Sequence, residues 1–346
     1  MDSLYQELTI CEIREEAREV KTFYFEENPA NKIAYEAGQY LTLVRQTPIG
    51  EIRRSYSITS SPVLPEPLAI GVKRIENGLF SRYLIDHAQP GDLIYTTGAA
   101  GFFILPPDIS AYKQVFFCAA GSGITPIYSL LKTILHVHPA LAVTLIYSNH
   151  SANDTIFRED LNQLAQQFPE KLQIEFLYSN NPNLNQARLH KSLLQAFWYK
   201  YVTVPPEQVL SYICGPLNYM RMCTYALREV GVSADNIRKE NFNTEKPIIR
   251  NEPPDTEPHE VTITYHQQQY SLLVQYPKTI LQTAKEAGIV LPYSCEAGRC
   301  GNCVARCTQG QVWMSYNEVL TDRDLANGLT LTCVGYPVKG DVVLSI

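Results

Sequence analysis

Apolar residues recur along this chain with three different rhythms. Up to residue 106 they come in short segments, at 41–44, 55–59 and 68–72, set apart by the turn signals Asn28-Pro29, Pro48-Ile49-Gly50 and Pro90-Gly91. Short strands at regular spacing predict an antiparallel β-barrel over residues 1–106, with one helix near 81–87. From residue 107 to 243 the segments stop alternating. Gln114–Ala120 is a continuous apolar run, as a strand covered on both faces requires. Further runs at 143–147, Leu172–Tyr178 and Val209–Cys214 are separated by helical periodicity around Leu130, Leu131 and Ile134, at 157–167 and at 218–230. That order predicts an α/β unit with a parallel sheet. Residues 244–258 are rich in proline and charge and predict a linker; about 15 flexible residues span roughly 20 Å. From 259 to 346 alternation returns, in Val261, Ile263, Tyr265 and then Leu272, Val274. This predicts a hairpin, followed by a helix at 279–287 that Gly288 ends. The third unit is small and α+β.

Composition narrows the choice of chemistry. The chain has 346 residues, 45% hydrophobic and 18% charged, with a net charge of −6 and no basic stretch. This argues against nucleic acid as a partner. No run of about 18 apolar residues is present, so no membrane-spanning helix is expected. The acidic start, MDSLYQELTICEIREEAREV, lacks the pattern of a secretory signal. Nine cysteines, clustered and odd in number, fit metal-bound thiolates in a reducing cytoplasm better than disulfides.

Four of those cysteines carry the most specific signal. Cys295, Cys300 and Cys303 are spaced C-x₄-C-x₂-C, and Cys333 follows after 29 residues. This is the plant-type ligand spacing for a [2Fe–2S] cluster. Each iron takes two thiolates besides the bridging sulfides. Gly298 and Gly301 let the loop wrap closely and turn amide N–H groups toward sulfur. Structural zinc also takes four cysteines and is the competing reading. Cys307 falls on an outgoing strand and is expected to pack in the core, as is Cys223; Cys118 is expected to be inert in an apolar strand. Cys11 is expected to be an inert strand cysteine.

Two further motifs suit nucleotides. Arg54-Ser55-Tyr56-Ser57 reads R-x-Y-S: a guanidinium fork for phosphate, a flat phenol face and a hydroxyl for the edge of a ring. On a strand, Arg54 and Tyr56 share one face and Ser55 and Ser57 the other. Arg53, beside the motif, is expected to be solvated. Tyr56 as plain barrel core is the bland alternative. Gly78-Leu79-Phe80-Ser81 precedes the predicted helix, where Ser81 can cap the helix and nearby amides can hold a pyrophosphate. Gly121-Ser122-Gly123-Ile124-Thr125-Pro126 lies between a buried strand and a helix, the place for a phosphate-holding turn, and proline is at home in a first helical turn. Cys214-Gly215-Pro216 ends another buried strand, at the sheet edge where ligands bind.

Taken in order, R-x-Y-S, G-x-x-S, G-x-G-x-x-P, C-G-P and the cysteine set resemble one family. Residues 1–243 resemble the ferredoxin–NADP⁺ reductase-like flavoproteins, and 259–346 resemble a plant-type ferredoxin of β-grasp fold. The whole is similar to the reductase components of oxygenases, those of phenylacetyl-CoA epoxidases in particular. The resemblance implies an FAD-binding barrel, an NAD(P)-binding α/β domain and a [2Fe–2S] domain. It implies FAD at Arg54, Tyr56, Ser57, Val72, Lys73, Phe80, Ser81 and Phe242. It implies the nicotinamide dinucleotide at Gly121, Gly123, Thr125, Pro126, Cys214, Gly215 and Pro216, with Ser57 and Cys214 tuning the reacting rings. Electrons would pass from NAD(P)H through FAD and the cluster to a partner protein, an oxygenase component. Many relatives have Asn-Arg after the second strand of the sheet; this chain has Asn149-His150. That leaves the coenzyme open, with Arg158, Arg188 and Lys191 as candidate 2′-phosphate contacts or plain solvated charges. A redox sensor and a zinc-bearing interaction module are the readings from other functional classes.

Overall fold

In the computed structural model residues 5–27, 32–47, 50–243 and 252–346 are described. The turn signals Asn28-Pro29 and Pro48-Ile49 and linker residues 244–251 lie outside them. The chain forms two units, Met1–Glu240 and Asn241–Ile346.

The first unit opens with six strands, β1 (Gln6–Ala17), β2 (Val20–Phe25), β3 (Tyr40–Thr47), β4 (Gly50–Ser57), β5 (Ala69–Lys73) and β6 (Leu93–Ala100), with helix α1 (Leu79–His87) between the last two. The sheet runs β4-β3-β6-β1-β2-β5, and each pairing is antiparallel. An antiparallel bridge from Ile58 to Ile70 carries the chain leaving β4 back onto β5, which curls the sheet toward closure. Inward residues Leu8, Ile10, Phe23, Phe25, Leu41, Leu43, Ile70 and Val72 share one core with Phe80 and Leu84 of α1.

The same unit continues as β7 (Gln114–Ala120), α2 (Ile124–Val137), β8 (Ala142–Asn149), α3 (Arg158–Gln167), β9 (Leu172–Tyr178), α4 (Leu184–Ala187), α5 (Lys191–Tyr201), β10 (Val209–Cys214), α6 (Leu217–Glu229) and β11 (Ile237–Glu240). The order β11-β10-β7-β8-β9 is parallel throughout. The apolar runs are explained by cover on both faces. Val115, Phe117 and Ala119 of β7 join the core that holds α2 and α3. The intervening Phe116 and Cys118 join the core that holds Trp198 of α5 and Cys223 of α6. After β9 the chain returns to the far side of β7, so strand order reverses between β7 and β10. Open α/β sheets bind ligands in the crevice outside such a reversal.

Barrel and α/β domain share polar ties. The Lys132 ammonium lies 2.5 and 2.7 Å from the two Glu66 oxygens. Ser129 donates to the Ser60 carbonyl at 2.5 Å, and the hydroxyls of Ser61 and Thr133 are 2.6 Å apart.

The second unit has β12 (His259–Tyr265), β13 (Gln268–Val274), α7 (Ile280–Glu286), β14 (Val304–Met314), α8 (Asp322–Ala326), β15 (Leu329–Leu331) and β16 (Gly335–Ser345). Its mixed sheet runs β13-β12-β16-β14-β15, with β12 and β16 parallel. The expected hairpin is β12–β13, turned by His266 and Gln267 at φ 49° and 62°. Thr279 caps α7 in a reciprocal pair with Gln282, and Gly288 at φ 73° follows its end.

Several expectations are corrected. Arg53 is buried rather than solvated, its Nε 2.6 Å from Glu51. Cys307 is on β14 as expected but half-buried, not in the core. Cys11 is exposed. The last part of the proposed linker is tied down: Pro253 is buried, and Asp255 accepts from the Lys339 amide at 2.7 Å. Among the described residues no helix is long and apolar enough to cross a membrane.

Candidate functional site

Register fixes how the R-x-Y-S strand presents itself. Tyr56 lies opposite Leu41 and Arg54 opposite Leu43. Cross-strand partners share a face, so Arg54 and Tyr56 stand together, while Ser55 and Ser57 pair with Thr42 and Tyr40 on the other side. The Tyr56 ring meets Phe80 edge-on, centroids 6.1 Å apart at 89°. Burial raises the Tyr56 hydroxyl well above its ordinary range, so it stays neutral. Arg54 is exposed and held by an Nη1 bond to the Arg53 carbonyl at 2.7 Å. Ser57 is buried. On β5, Val72 is buried in the barrel core and Lys73 is exposed.

Helix α1 starts at Leu79 after Gly78, and no side chain caps it. The expected cap is therefore not made by Ser81. Its hydroxyl instead accepts from Ile75 N at 3.1 Å and donates to Gly78 O at 3.2 Å, closing the loop before the helix. A β-carbon on Gly78 would fall 2.5 Å from that hydroxyl oxygen, so glycine is what lets the loop fold onto it. An exposed guanidinium, a phenol face and an uncapped helix start suit a flavin dinucleotide.

At the strand reversal, β7 ends in a 3₁₀ turn, Gly121–Gly123, that leads into α2. Gly121 has φ 54°, and its carbonyl accepts from the Tyr147 hydroxyl at 3.0 Å. Thr125 donates to Ser122 O at 3.0 Å. Pro126 lies buried in the first turn of α2. Cys214 pairs across the ladder with Ala119 on one side and Glu240 on the other, so Cys214-Gly215-Pro216 leaves the sheet beside the glycine turn. A β-carbon on Gly215 would lie 2.9 Å from Ala120 Cβ. Burial, then the Glu240 carboxylate, push the Cys214 thiol far up, which makes it a neutral, compact group. The Glu240 carboxyl is itself pushed up to about 8 by burial. Tyr147 and Tyr219 were not legible as site residues. The Tyr219 hydroxyl donates to Ala119 O at 3.0 Å from a distant helix, and no local pattern marks that.

His150 and Ser179 meet at the ends of β8 and β9, Nδ1 to Oγ 3.1 Å. Lys191 pairs with Glu229 at 2.7 Å; Arg158 and Arg188 are exposed. Phe242 lies in the leading segment of the second unit, 45% exposed rather than in a core.

The four cysteines of the spacing motif are brought together in the second unit, as two pairs. Cys295 and Cys300 are within hydrogen-bond reach of each other, and so are Cys303 and Cys333. Cys303 and Cys333 are buried. Two thiol pairs suit a centre in which each of two irons takes two thiolates. Gly298 at φ 70° and Gly301 at φ 78° shape the loop. The Ala297 amide donates to Cys295 sulfur at 3.4 Å. The Cys300 thiol, with the amides of Arg299, Ala297 and Cys300, holds the Cys295 thiol down to about 6 against the opposing effect of burial. Such amide–sulfur bonds favour thiolate.

Comparison with known proteins agrees with this geometry. Residues 7–104 match the oxidoreductase FAD-binding domain family, 117–224 the oxidoreductase NAD-binding domain family, and 263–338 the 2Fe-2S iron-sulfur cluster binding domain family. The chain is 30% identical to a subunit of the 1,2-phenylacetyl-CoA epoxidase of Escherichia coli (strain K12), over 98% of this chain and 97% of that one. It is 31% identical to the ferredoxin reductase component of 3-ketosteroid-9-alpha-monooxygenase from Mycobacterium tuberculosis, over 97% and 94%. Phthalate dioxygenase reductase shares the fold, with a TM-score of 0.61 at 22% identity over 99% and 98% of the two chains. The chain therefore belongs to the ferredoxin-reductase-like flavoproteins with a C-terminal [2Fe–2S] domain, homologous to oxygenase reductase components, and is an NAD(P)H-dependent oxidoreductase whose cofactors are FAD, a nicotinamide dinucleotide and a [2Fe–2S] cluster.

Proposed function

We propose that this chain is the reductase component of an oxygenase and that Cys295, Cys300, Cys303 and Cys333 hold its cluster. When bound, FAD accepts the hydride equivalent of NAD(P)H and the cluster passes electrons on singly. The protein supplies distance, stacking and charge. Arg54 meets a flavin phosphate with its exposed guanidinium. Tyr56, backed by Phe80, offers its face to the ring system, and Ser57 offers a hydroxyl to the reactive edge. Val72, Lys73 and Ser81 complete the flavin site, and Phe242 covers the ring until coenzyme arrives. Gly121, Gly123 and Thr125 bring backbone close to the coenzyme pyrophosphate, with Pro126 fixing the start of α2. Cys214, Gly215 and Pro216 form the wall beside the nicotinamide, where a neutral thiol fills space without crowding.

The domains that carry these roles are 1–106 for FAD, 107–243 for NAD(P) and 259–346 for the cluster, joined by 244–258. The acceptor is an oxygenase component, by analogy with the relatives whose names include epoxidase and monooxygenase. The thiolate-rich loop suits a reducing cytoplasm.

The two thiol pairs in a chain that also carries flavin and coenzyme domains support this reading above all. The test is an anaerobic titration of the oxidised protein with NADH and with NADPH, recorded as visible spectra alongside iron and acid-labile sulfide assays. Sequential bleaching of flavin and cluster, with one coenzyme preferred, is the expected result. Flavin reduction with zinc in place of iron and sulfide would contradict it and leave an interaction module.

A further inference from the structure

Arg299 directly precedes Cys300, on a loop, yet it is only 9% exposed. Its guanidinium is fixed on three sides. Nε lies 3.2 Å from Glu318 Oε2. Nη1 donates to the Asn243 carbonyl at 3.3 Å and Nη2 to the Tyr316 hydroxyl at 3.5 Å. Glu318 is fixed in turn. It accepts from the Asn241 side-chain amide at 2.8 Å and from the Tyr316 hydroxyl, and its own amide donates to Gly298 O at 3.0 Å. Gly298 lies so close that a β-carbon there would fall 2.8 Å from Tyr316 O.

A cation held out of water is costly unless something repays it. Arginine ordinarily turns its head to solvent. The charge also bears electrostatically on Cys295. Four thiolates and two sulfides around two ferric ions carry net negative charge, which grows by one when an electron is added. A fixed positive charge beside that loop favours the added electron, and a fixed negative charge opposes it.

We infer that Arg299 is a positioning residue for electron transfer: its pinned guanidinium raises the electron affinity of the centre, and Glu318 limits the rise. The inference rests on the four cysteines holding the cluster. A merely structural Arg299–Glu318 pair predicts something different, because losing either partner would loosen the same loop in the same way.

The test uses the full-length holoprotein as wild type, Arg299→Gln, Arg299→Lys and Glu318→Gln. Each is assayed for iron and sulfide, then titrated anaerobically against redox mediators while the electron paramagnetic resonance of the reduced cluster is followed. Arg299→Gln should lower the equilibrium constant for cluster reduction about tenfold, about 59 mV for one electron. Glu318→Gln should raise it, and Arg299→Lys should stay near wild type. Equal potentials throughout, or shifts of the same sign in Arg299→Gln and Glu318→Gln, would overturn the inference. Should Arg299→Gln lose its cluster, Glu318→Gln decides alone: an unchanged or lowered potential refutes it. Wild-type protein without iron and sulfide would instead refute the assignment of the cysteines, and the inference with it.

Discussion

A β-carbon on Gly123 would lie 2.1 Å from the carbonyl oxygen of Cys214. The turn after β7 and the end of β10 are thus in backbone contact, and only glycine permits it. Gly123→Ala must push the two apart at the strand reversal. We expect a loss of about 1–3 kcal/mol in stability from overpacking. We also expect coenzyme-driven flavin reduction to slow about a hundredfold, because a shift near 1 Å in a positioning element has that effect. Stopped-flow flavin bleaching and thermal unfolding check both, and FAD content should stay unchanged.

Neighbouring arginines on β4 should behave oppositely. Arg53 is buried against Glu51, and Arg53→Met leaves that carboxylate with only the Tyr5 hydroxyl and the Gln46 amide as donors. The cost should be about 1–3 kcal/mol, as for a lost charged hydrogen bond in a partly buried setting. Arg54 is exposed. Arg54→Ala should leave stability within about 0.5 kcal/mol but weaken FAD retention about ten- to a hundredfold through a lost charged hydrogen bond. Denaturant midpoints and released FAD fluorescence separate the two effects.

The Lys132–Glu66 pair should show an asymmetry. The Lys132 side chain is 8% exposed and that of Glu66 28%. Glu66→Gln leaves a buried ammonium and should cost about 3 kcal/mol. Lys132→Met leaves a carboxylate that water can reach and should cost about 1 kcal/mol or less. Burial already lowers the Lys132 pKa. In Glu66→Gln the folded state therefore sheds this proton before the unfolded state does, and stability should climb as pH rises through that window.

Glu240 should impose the opposite slope. Its carboxyl is pushed up to about 8 by burial, and Oε2 has no hydrogen-bond partner among the described residues. The residue as a whole reaches solvent, but the enclosed carboxyl governs its titration. Between the ordinary carboxylate range and about pH 8 the folded protein holds a proton that the unfolded chain releases. Stability should therefore fall with rising pH, by at most about 1.4 kcal/mol per unit. Glu240→Gln should flatten that part of the profile in denaturant titrations run at successive pH values.

What was legible in the sequence was what depends on neighbours along the chain. Gln114–Ala120 had to be a strand covered on both faces, and it is. The helix expected over 279–287 forms, and Thr279 and Gln282 cap each other at its start. The cysteine spacing works the same way, since a loop that wraps a centre fixes the separations within it. What was not legible depends on partners far along the chain. Arg53 is reached by Tyr5, 48 residues away, and Glu66 by Lys132, 66 away. Cys307 is half-buried beside a slip in strand register that composition does not reveal. No local pattern marks Arg299, whose partners Glu318, Tyr316 and Asn243 come from other segments of the chain.

The order coenzyme, flavin, cluster is tested most directly by Cys300→Ser. With NAD(P)H as donor, the variant should reduce ferricyanide at the wild-type rate, since the flavin serves that acceptor, and should lose reduction of cytochrome c. Loss of both activities together, or full retention of cytochrome c reduction, would contradict a relay that ends at the four thiols.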